Sequence, residues 1–223
     1  MTTQAIAAYG TQVRLGDGIP LAAISVTGAS ATTPIILTTA AHGLATGDVS
    51  FAVVAGVTGI GAANGSHVVE ATDATHLRLP GTIGSGTYSG GGTVTLQSTY
   101  TLIAEMTNLE DAGLQATVIN VTAHDGNGYE SQIPTFLRGN TMRMALNWIP
   151  ANATHNATTG LTYLMGQRIT RPYLIVWPSH VGTPRPTWAF SAWVTQDRKA
   201  APVAGALTSA VNFEVDGPLV FAA

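Results

Sequence analysis

Cysteine is absent and charge is scarce: Asp, Glu, Lys and Arg make up 9% of the 223 residues, where about 25% is usual. Without cysteine, a disulfide scaffold, an iron–sulfur protein, a thiol enzyme and a Cys-ligated zinc site are excluded. The chain therefore carries no mark of an oxidising or a reducing compartment. Long hydrophobic runs are missing too. The longest apolar stretch, residues 51–57, is interrupted by Gly56, whereas a spanning helix needs about 20 apolar residues. Residues 1–10 lack the basic start and continuous apolar stretch of a secretory signal. The expectation is a soluble protein with no membrane insertion. A formal net charge of −3 and a pI near 6.0 argue against holding nucleic acid by its phosphates.

What is present is apolar and rich in turns. Hydrophobic residues make up 45% of the chain, with 25 Gly and 11 Pro, and mean hydropathy is +0.24. That is too apolar for disorder, and a long coiled coil would need Glu and Lys that are missing. A lone domain presents about 25–35% charged residues on its surface. So few charges point to a surface partly covered by other copies or partners. The plainer alternative is a neutral, Thr-rich, solvated β surface.

Residues 22–97 differ from the rest. Their charged residues are Asp48, Glu70, Asp73 and Arg78 alone. Short apolar runs at 23–27, 35–38, 49–54, 67–71, 76–79 and 93–96 are separated by Gly43, Gly47-Asp48, Asn64-Gly65 and Gly90-Gly91-Gly92. Gly and Asn supply the positive φ that tight hairpins need. The pattern predicts a small β-barrel or sandwich.

Residues 98–223 show longer strands with cleaner alternation. Met142, Met144, Leu146 and Trp148 share one face of a strand at 141–148, opposite Thr141, Arg143, Ala145 and Asn147. Further strands are expected at 100–107, 115–122, 173–177, 186–195 and 207–215. In 153–165, Ala157, Leu161, Leu164 and Met165 fall at helical spacing, with Asn152 or Thr154 as a cap and Gly166 as a stop. The expected fold class is mainly β: a two-sheet sandwich or barrel with one short α-helix, plus a small inserted all-β domain.

No catalytic or metal signature stands out. The chain has six His, none at H-E-x-x-H or H-x-H spacing. His67 and His76 flank an expected hairpin and read as packing or surface residues. Asp125-Gly-Asn127-Gly-Tyr129-Glu130 resembles half a calcium loop, but the twelfth position, which should be Glu, is Phe136. Neither a G-x-S-x-G elbow nor a phosphate loop is present, and Gly90-Gly91-Gly92 has no following helix. Glu110 and Asp111 are adjacent, so in a strand they point apart. Enzymatic activity and cofactors are not expected. The sequons at Asn64, Asn120, Asn152 and Asn156 carry little weight without a secretory signal. Trp148 and Trp188 lie on apolar strand faces and read as core; Trp193 lies on the face opposite Trp188.

The second block carries the patterns Ile103-Ala104-Glu105-x-Thr107, Ile119-x-Val121-Thr122, Gly128-Tyr129-x-x-x-Ile133-Pro134 and Pro202-Val203-x-x-Ala206-Leu207-Thr208. Their order resembles the tail tube (major tail) proteins of long-tailed bacteriophages, over most of residues 98–223 together with the arm 11–19. The first block resembles a small module common in phage structural proteins. Ala41-His42-Gly43-Leu44, Thr46-Gly47-Asp48, Ala63-Asn64-Gly65 and Asp73-Ala74-Thr75 carry that likeness. The arrangement implied is a tube core of residues 1–21 and 98–223, with 22–97 inserted on the tube exterior.

The resemblance implies a non-enzymatic homo-oligomer of the virion tail, made in the host cytoplasm. Its hexameric rings stack into a tube, meet other tail proteins at the tube ends, and let DNA pass without specific binding. Glu105, Thr208, Asn212 and Glu214, on polar strand faces, are candidates to line the lumen, with Arg143 as an exception that pairs with an acid at an interface. The loop 123–136, with His124, Asp125, Asn127, Tyr129, Glu130, Ile133 and Pro134, is expected to reach a neighbouring subunit. Two roles are open for the inserted domain, weak contact with host-surface glycans or no binding, and the second is favoured. The alternative for the whole chain is a phage or cell-surface adhesin made of two β domains.

Overall fold

The short strands expected between residues 23 and 96 form, and they close on themselves. The computed structural model describes residues 10–110, 114–120, 132–139, 141–178 and 185–222, with the backbone alone at 114–120, 132–139, 217–219 and 222. In chain order the strands are β1 (Gln12–Gly16), β2 (Ile24–Ala29), β3 (Ile35–Thr39), β4 (Val49–Ala55), β5 (Gly65–Ala71), β6 (His76–Leu79), β7 (Thr93–Leu96) and β8 (Tyr100–Leu102). Then come β9 (Met106–Glu110), β10 (Leu114–Asn120), β11 (Gln132–Gly139), β12 (Thr141–Asn147), helix α1 (Leu161–Gln167), β13 (Arg171–Val176), β14 (Thr187–Ala200) and β15 (Thr208–Ala222). The chain is mainly β, as its alternation implied, and divides into two units.

The first unit comprises Met1–Ile103, Arg171–Phe190 and Leu219–Ala223. Within it, β2-β3-β6-β5-β4-β7 form a closed barrel, sealed where Ile24 of β2 pairs with Val94 of β7. The registers Ile35↔Leu79, Leu37↔Leu77 and Val54↔Val94 place the apolar alternates of facing strands together. With Val69, Ala71, Leu96, Val57 and Ile60 they form a buried core. Each such Leu, Ile or Val contributes roughly 1.5–3 kcal/mol on burial. Closure removes the edges that strands this short would otherwise expose. The turns are tight enough to demand glycine. Gly59 has φ 87°, and a Cβ there would run into the Thr87 carbonyl.

Also in this unit, β1 pairs with β8 on one side and β13 on the other. Leu174, Val176 and Ala189 pack on Val49 and Val68, which lie on the outside of the barrel. Two cations reach the same turn: Arg14 Nη1 lies 3.7 Å from Asp48 Oδ1, and Arg185 Nη2 donates to the Gly47 carbonyl at 2.7 Å. Tyr173 and Phe190 stack at 5.7 Å. Trp188 is half-buried and meets Trp177 and Phe221 edge to face, at 5.3 and 5.2 Å.

The second unit comprises Ala104–Thr170 and Ser191–Pro218. Its strands follow the order β14-β15-β12-β9, and β10 and β11 form a separate hairpin. Met142, Met144 and Leu146 of β12 are buried, as are Val211, Phe213 and Val215 of β15, Ala192 and Val194 of β14, and Leu161 and Leu164 of α1.

The structure corrects two of the expected elements. The strand expected at 100–107 is two strands, because Glu105 takes a left-handed backbone (φ 57°) between β8 and β9. The helix expected over 153–165 begins only at Leu161 and runs through Gly166 to Gln167. The expected caps, Asn152 and Thr154, bond to each other instead: Asn152 Oδ1 accepts from the Thr154 amide and from Thr154 Oγ1. Asn156 Oδ1, in the same segment, accepts from the amides of Thr158, Thr159 and Gly160. These side-chain turns compete with helix for the same donors. The left-handed residue Arg168 then ends α1, its amide bonding back to Leu164 and Met165.

Candidate assembly surface

Alternation in β12 and β15 sends one set of side chains inward and leaves a polar set on the other face. The registers give its rows: Asn147↔Thr208, Asn108↔Ala145↔Ala210, Glu110↔Arg143↔Asn212 and Thr141↔Glu214. Neighbours on this face are tied together. Thr141 Oγ1 donates to Glu214 Oε2 at 3.0 Å, Asn212 Nδ2 to Gln196 Oε1 at 2.8 Å, and Asn108 Nδ2 to Glu110 Oε1 at 3.1 Å. Thr208, Asn212 and Glu214 therefore share one face. Glu105 sits off the strands, in the turn before β9, but its Oε2 reaches the same rows by accepting from Asn147 Nδ2 at 3.2 Å. Arg143 is exposed and forms no salt bridge among the described residues.

Of the loop residues singled out from sequence, Ile133 and Pro134 lie in β11, opposite Ile119 and Val118. His124, Asp125, Asn127, Tyr129 and Glu130 lie outside the described residues.

Two features of the second unit lie exposed among the described residues. Strand β9 ends the strand order, so one side of its backbone has no strand beside it among the described residues. Residues 201–207, between β14 and β15, are all exposed and carry no charged or hydrogen-bonding side chain. Val203 is fully exposed and Leu207 is 41% exposed.

Beneath this surface lies a polar cluster that sequence reasoning missed. Asp197, with only 1% of its side chain exposed, accepts from Ser209 Oγ at 2.5 Å, from Thr162 Oγ1 at 2.7 Å and from Lys199 Nζ. Burial pushes the carboxyl's pKa up, but these donors outweigh it and hold it below the ordinary carboxylate value. Lys199 Nζ also lies 4.9 Å from the centre of the half-buried Trp148 ring. The available signal was weak. Asp197 and Lys199 are two apart in a strand, which places them on one side, but they extend past the apolar alternation of β14. That alternation slips between Val194, which is buried, and Asp197, whose carboxylate is buried one residue out of step.

Elsewhere the polar groups do local work. Asp73 Oδ1 accepts from the Thr75 amide and Oδ2 contacts His76 Nδ1 at 2.7 Å; the backbone bond from Thr75 is the main reason its pKa falls to about 2. Burial pulls the His67 imidazole below its usual value. Among the described residues, no three His, Asp or Glu side chains gather as a metal site would require.

No protein-family model matches the chain, and no curated protein matches it at a significant level. Solved structures do resemble part of it. The sheath/tube terminator of the PVC extracellular contractile injection system, in its extended state, is 14% identical with a TM-score of 0.43, over 55% of this chain and 87% of its own. A chain of the anti-feeding prophage (AFP) baseplate is 11% identical with a TM-score of 0.43, over 55% and 83%. A chain of the PVC sheath–tube complex is 15% identical with a TM-score of 0.42, over 55% and 82%. Likenesses of this degree do not establish a shared function.

Proposed function

We propose that the chain is a structural, non-enzymatic protomer of a phage-like tail tube. Copies join sheet edge to sheet edge into hexameric rings, and the rings stack around a lumen that conducts DNA. Residues 22–97 form a module inserted into the tube core made by 1–21 and 98–223. The observation that carries this reading is the sheet of the second unit: one apolar face is buried, the other is lined with polar and charged side chains, and among the described residues β9 has no strand on its outer side. An unpaired edge is a template for another copy. A ring of such sheets satisfies that edge and turns one face into an inner wall.

The physics of the wall follows from its composition. Affinity for DNA comes chiefly from cations that displace the phosphates' counterions. In the paired rows of β9, β12 and β15 Arg143 is set against Glu105, Glu110 and Glu214, and the other members are amides, hydroxyls and methyls, while exposed Arg198 of β14 stands two residues from Gln196. With acids outnumbering cations, such a wall repels phosphate mildly. The exposed apolar residues 201–207 supply further contact area between copies, consistent with a chain that is 9% charged.

Electron microscopy of the purified full-length protein tests the reading. Rings or hollow tubes are expected. Dispersed monomers at high concentration overturn it, and specific glycan binding by those monomers would favour an adhesin instead.

A further inference from the structure

Two uncovered parts of the second unit lie at opposite ends of one strand. The first is the hairpin β10–β11, attached where β12 begins. Its pairing Leu114↔Gly139 stands four residues on from Glu110↔Arg143 along both strands, so β10–β11 keeps the alignment of β9–β12. The surroundings differ. Strand β12 has β15 beside it, but β15 runs on past Glu214, the partner of Thr141, to Ala222, and β10–β11 forms a two-stranded sheet of its own. Among the described residues neither outer edge of the hairpin has a strand neighbour. A lone two-stranded hairpin is at best marginally stable in water. The sequence of this one suits it poorly to water: it contains Leu114, Val118, Ile119, Ile133, Phe136 and Leu137, and Arg138 is its single charge. The second part is 201–207, at the other end of β12, where Asn147 pairs with Thr208. These residues are exposed throughout and uncharged, with Val203 fully exposed. Thr141 and Asn147, the ends of β12, are about 20 Å apart at the rise of a strand.

We infer that the hairpin β10–β11 of one copy docks on residues 201–207 of a second copy. An apolar patch without charge offers nothing to select a charged partner, and this chain itself supplies the matching apolar surface. The placement of the two parts makes the contact repeat. After one docking, the pair still offers a free hairpin at one end and a free 201–207 at the other, so copies add head to tail rather than stopping at a dimer. Docking covers the apolar residues of both parts and supplies the hairpin with the packing layer it lacks. The inference rests on the tube reading and deepens it: the β9 edge joins copies within a ring, and this contact joins one ring to the next.

The chain has no cysteine of its own, so thiol cross-linking on the full chain tests the contact against a clean background. Val203→Cys is combined in turn with a cysteine at each position of β10 and β11, and assembled particles are treated with a short bis-maleimide and run on a denaturing gel. At least one combination should give a ladder of covalent multimers that neither single variant gives. In parallel, electron microscopy compares wild type with Val203→Lys. Val203 is fully exposed, so this variant should melt as wild type does; it should still form rings, with tubes shortened at least tenfold. Tubes of wild-type length from Val203→Lys, or no ladder from any combination, would overturn the docking and leave the tube reading standing. A ladder step as strong from Val203→Cys alone would also overturn it, since that result means 201–207 meets its own counterpart. A wild type that forms neither rings nor tubes overturns both.

Discussion

Replacing Asp197 by Ala removes the acceptor shared by Ser209, Thr162 and Lys199. Hydrogen bonds to a charged group are worth about 1.5–3 kcal/mol each, and a buried hydroxyl left without a partner costs about 1–3 kcal/mol. Ser209, 2% exposed, loses the acceptor for its hydroxyl proton and keeps only the long contact from Lys199 Nζ at 3.3 Å. Thr162 Oγ1 retains the His155 carbonyl at 3.0 Å, and Lys199 retains 28% side-chain exposure, so both recover part of what they lose. The net destabilisation should be about 2–4 kcal/mol, below the ~3–5 kcal/mol for breaking a fully buried pair. At ~2–4 °C per kcal/mol for a chain of this size, Tm falls by roughly 4–16 °C.

The pH dependence of that loss has a definite sign. The Asp197 pKa is lower folded than unfolded, so its stabilisation is complete above the ordinary carboxylate value near 3.9 and fades as pH falls through the lower, folded value. Calorimetric melts of wild type and variant at intervals from pH 7 to 2 should show a gap that is constant above about pH 5 and narrows below about pH 4. Equal melting at pH 7, or a gap unchanged at pH 2, would refute the cluster's role.

Met144→Ala should cost about 2–5 kcal/mol, since Met144 is 2% exposed in the core of the second unit; chemical denaturation measures it. Gly59→Ala should destabilise the barrel by more than about 1 kcal/mol, through its positive φ and the Thr87 carbonyl, with amide exchange in β3–β6 as the readout. The double variant Asn212→Lys, Glu214→Lys should convert tubes that ignore DNA into tubes that retain it at low salt and release it at high salt, measured by co-sedimentation. Salt-independent retention, or none, would argue that this face does not line the lumen.

How much of this was legible in the sequence depended on how local the determining forces were. The barrel strands were readable almost to the residue because alternation and Gly or Asn turns both act within a few positions. In 76–79 and 93–96 the expected bounds are those observed. The start of α1 was not, because whether Asn152 and Thr154 cap a helix or make a turn of their own depends on which groups they face. The end of β14 was hidden as well. Asp197, Arg198 and Lys199 look solvated along the chain, and only Thr162 and Ser209, brought in by the fold, make Asp197 a buried acceptor.

The most direct measurement is a high-resolution cryo-EM reconstruction of particles assembled from the full chain. It should show the free backbone of β9 hydrogen-bonded to an adjacent copy, with Thr208, Asn212 and Glu214 facing a central channel. Particles in which every protomer keeps its sheet edges to itself, or no particles at all, would contradict the account.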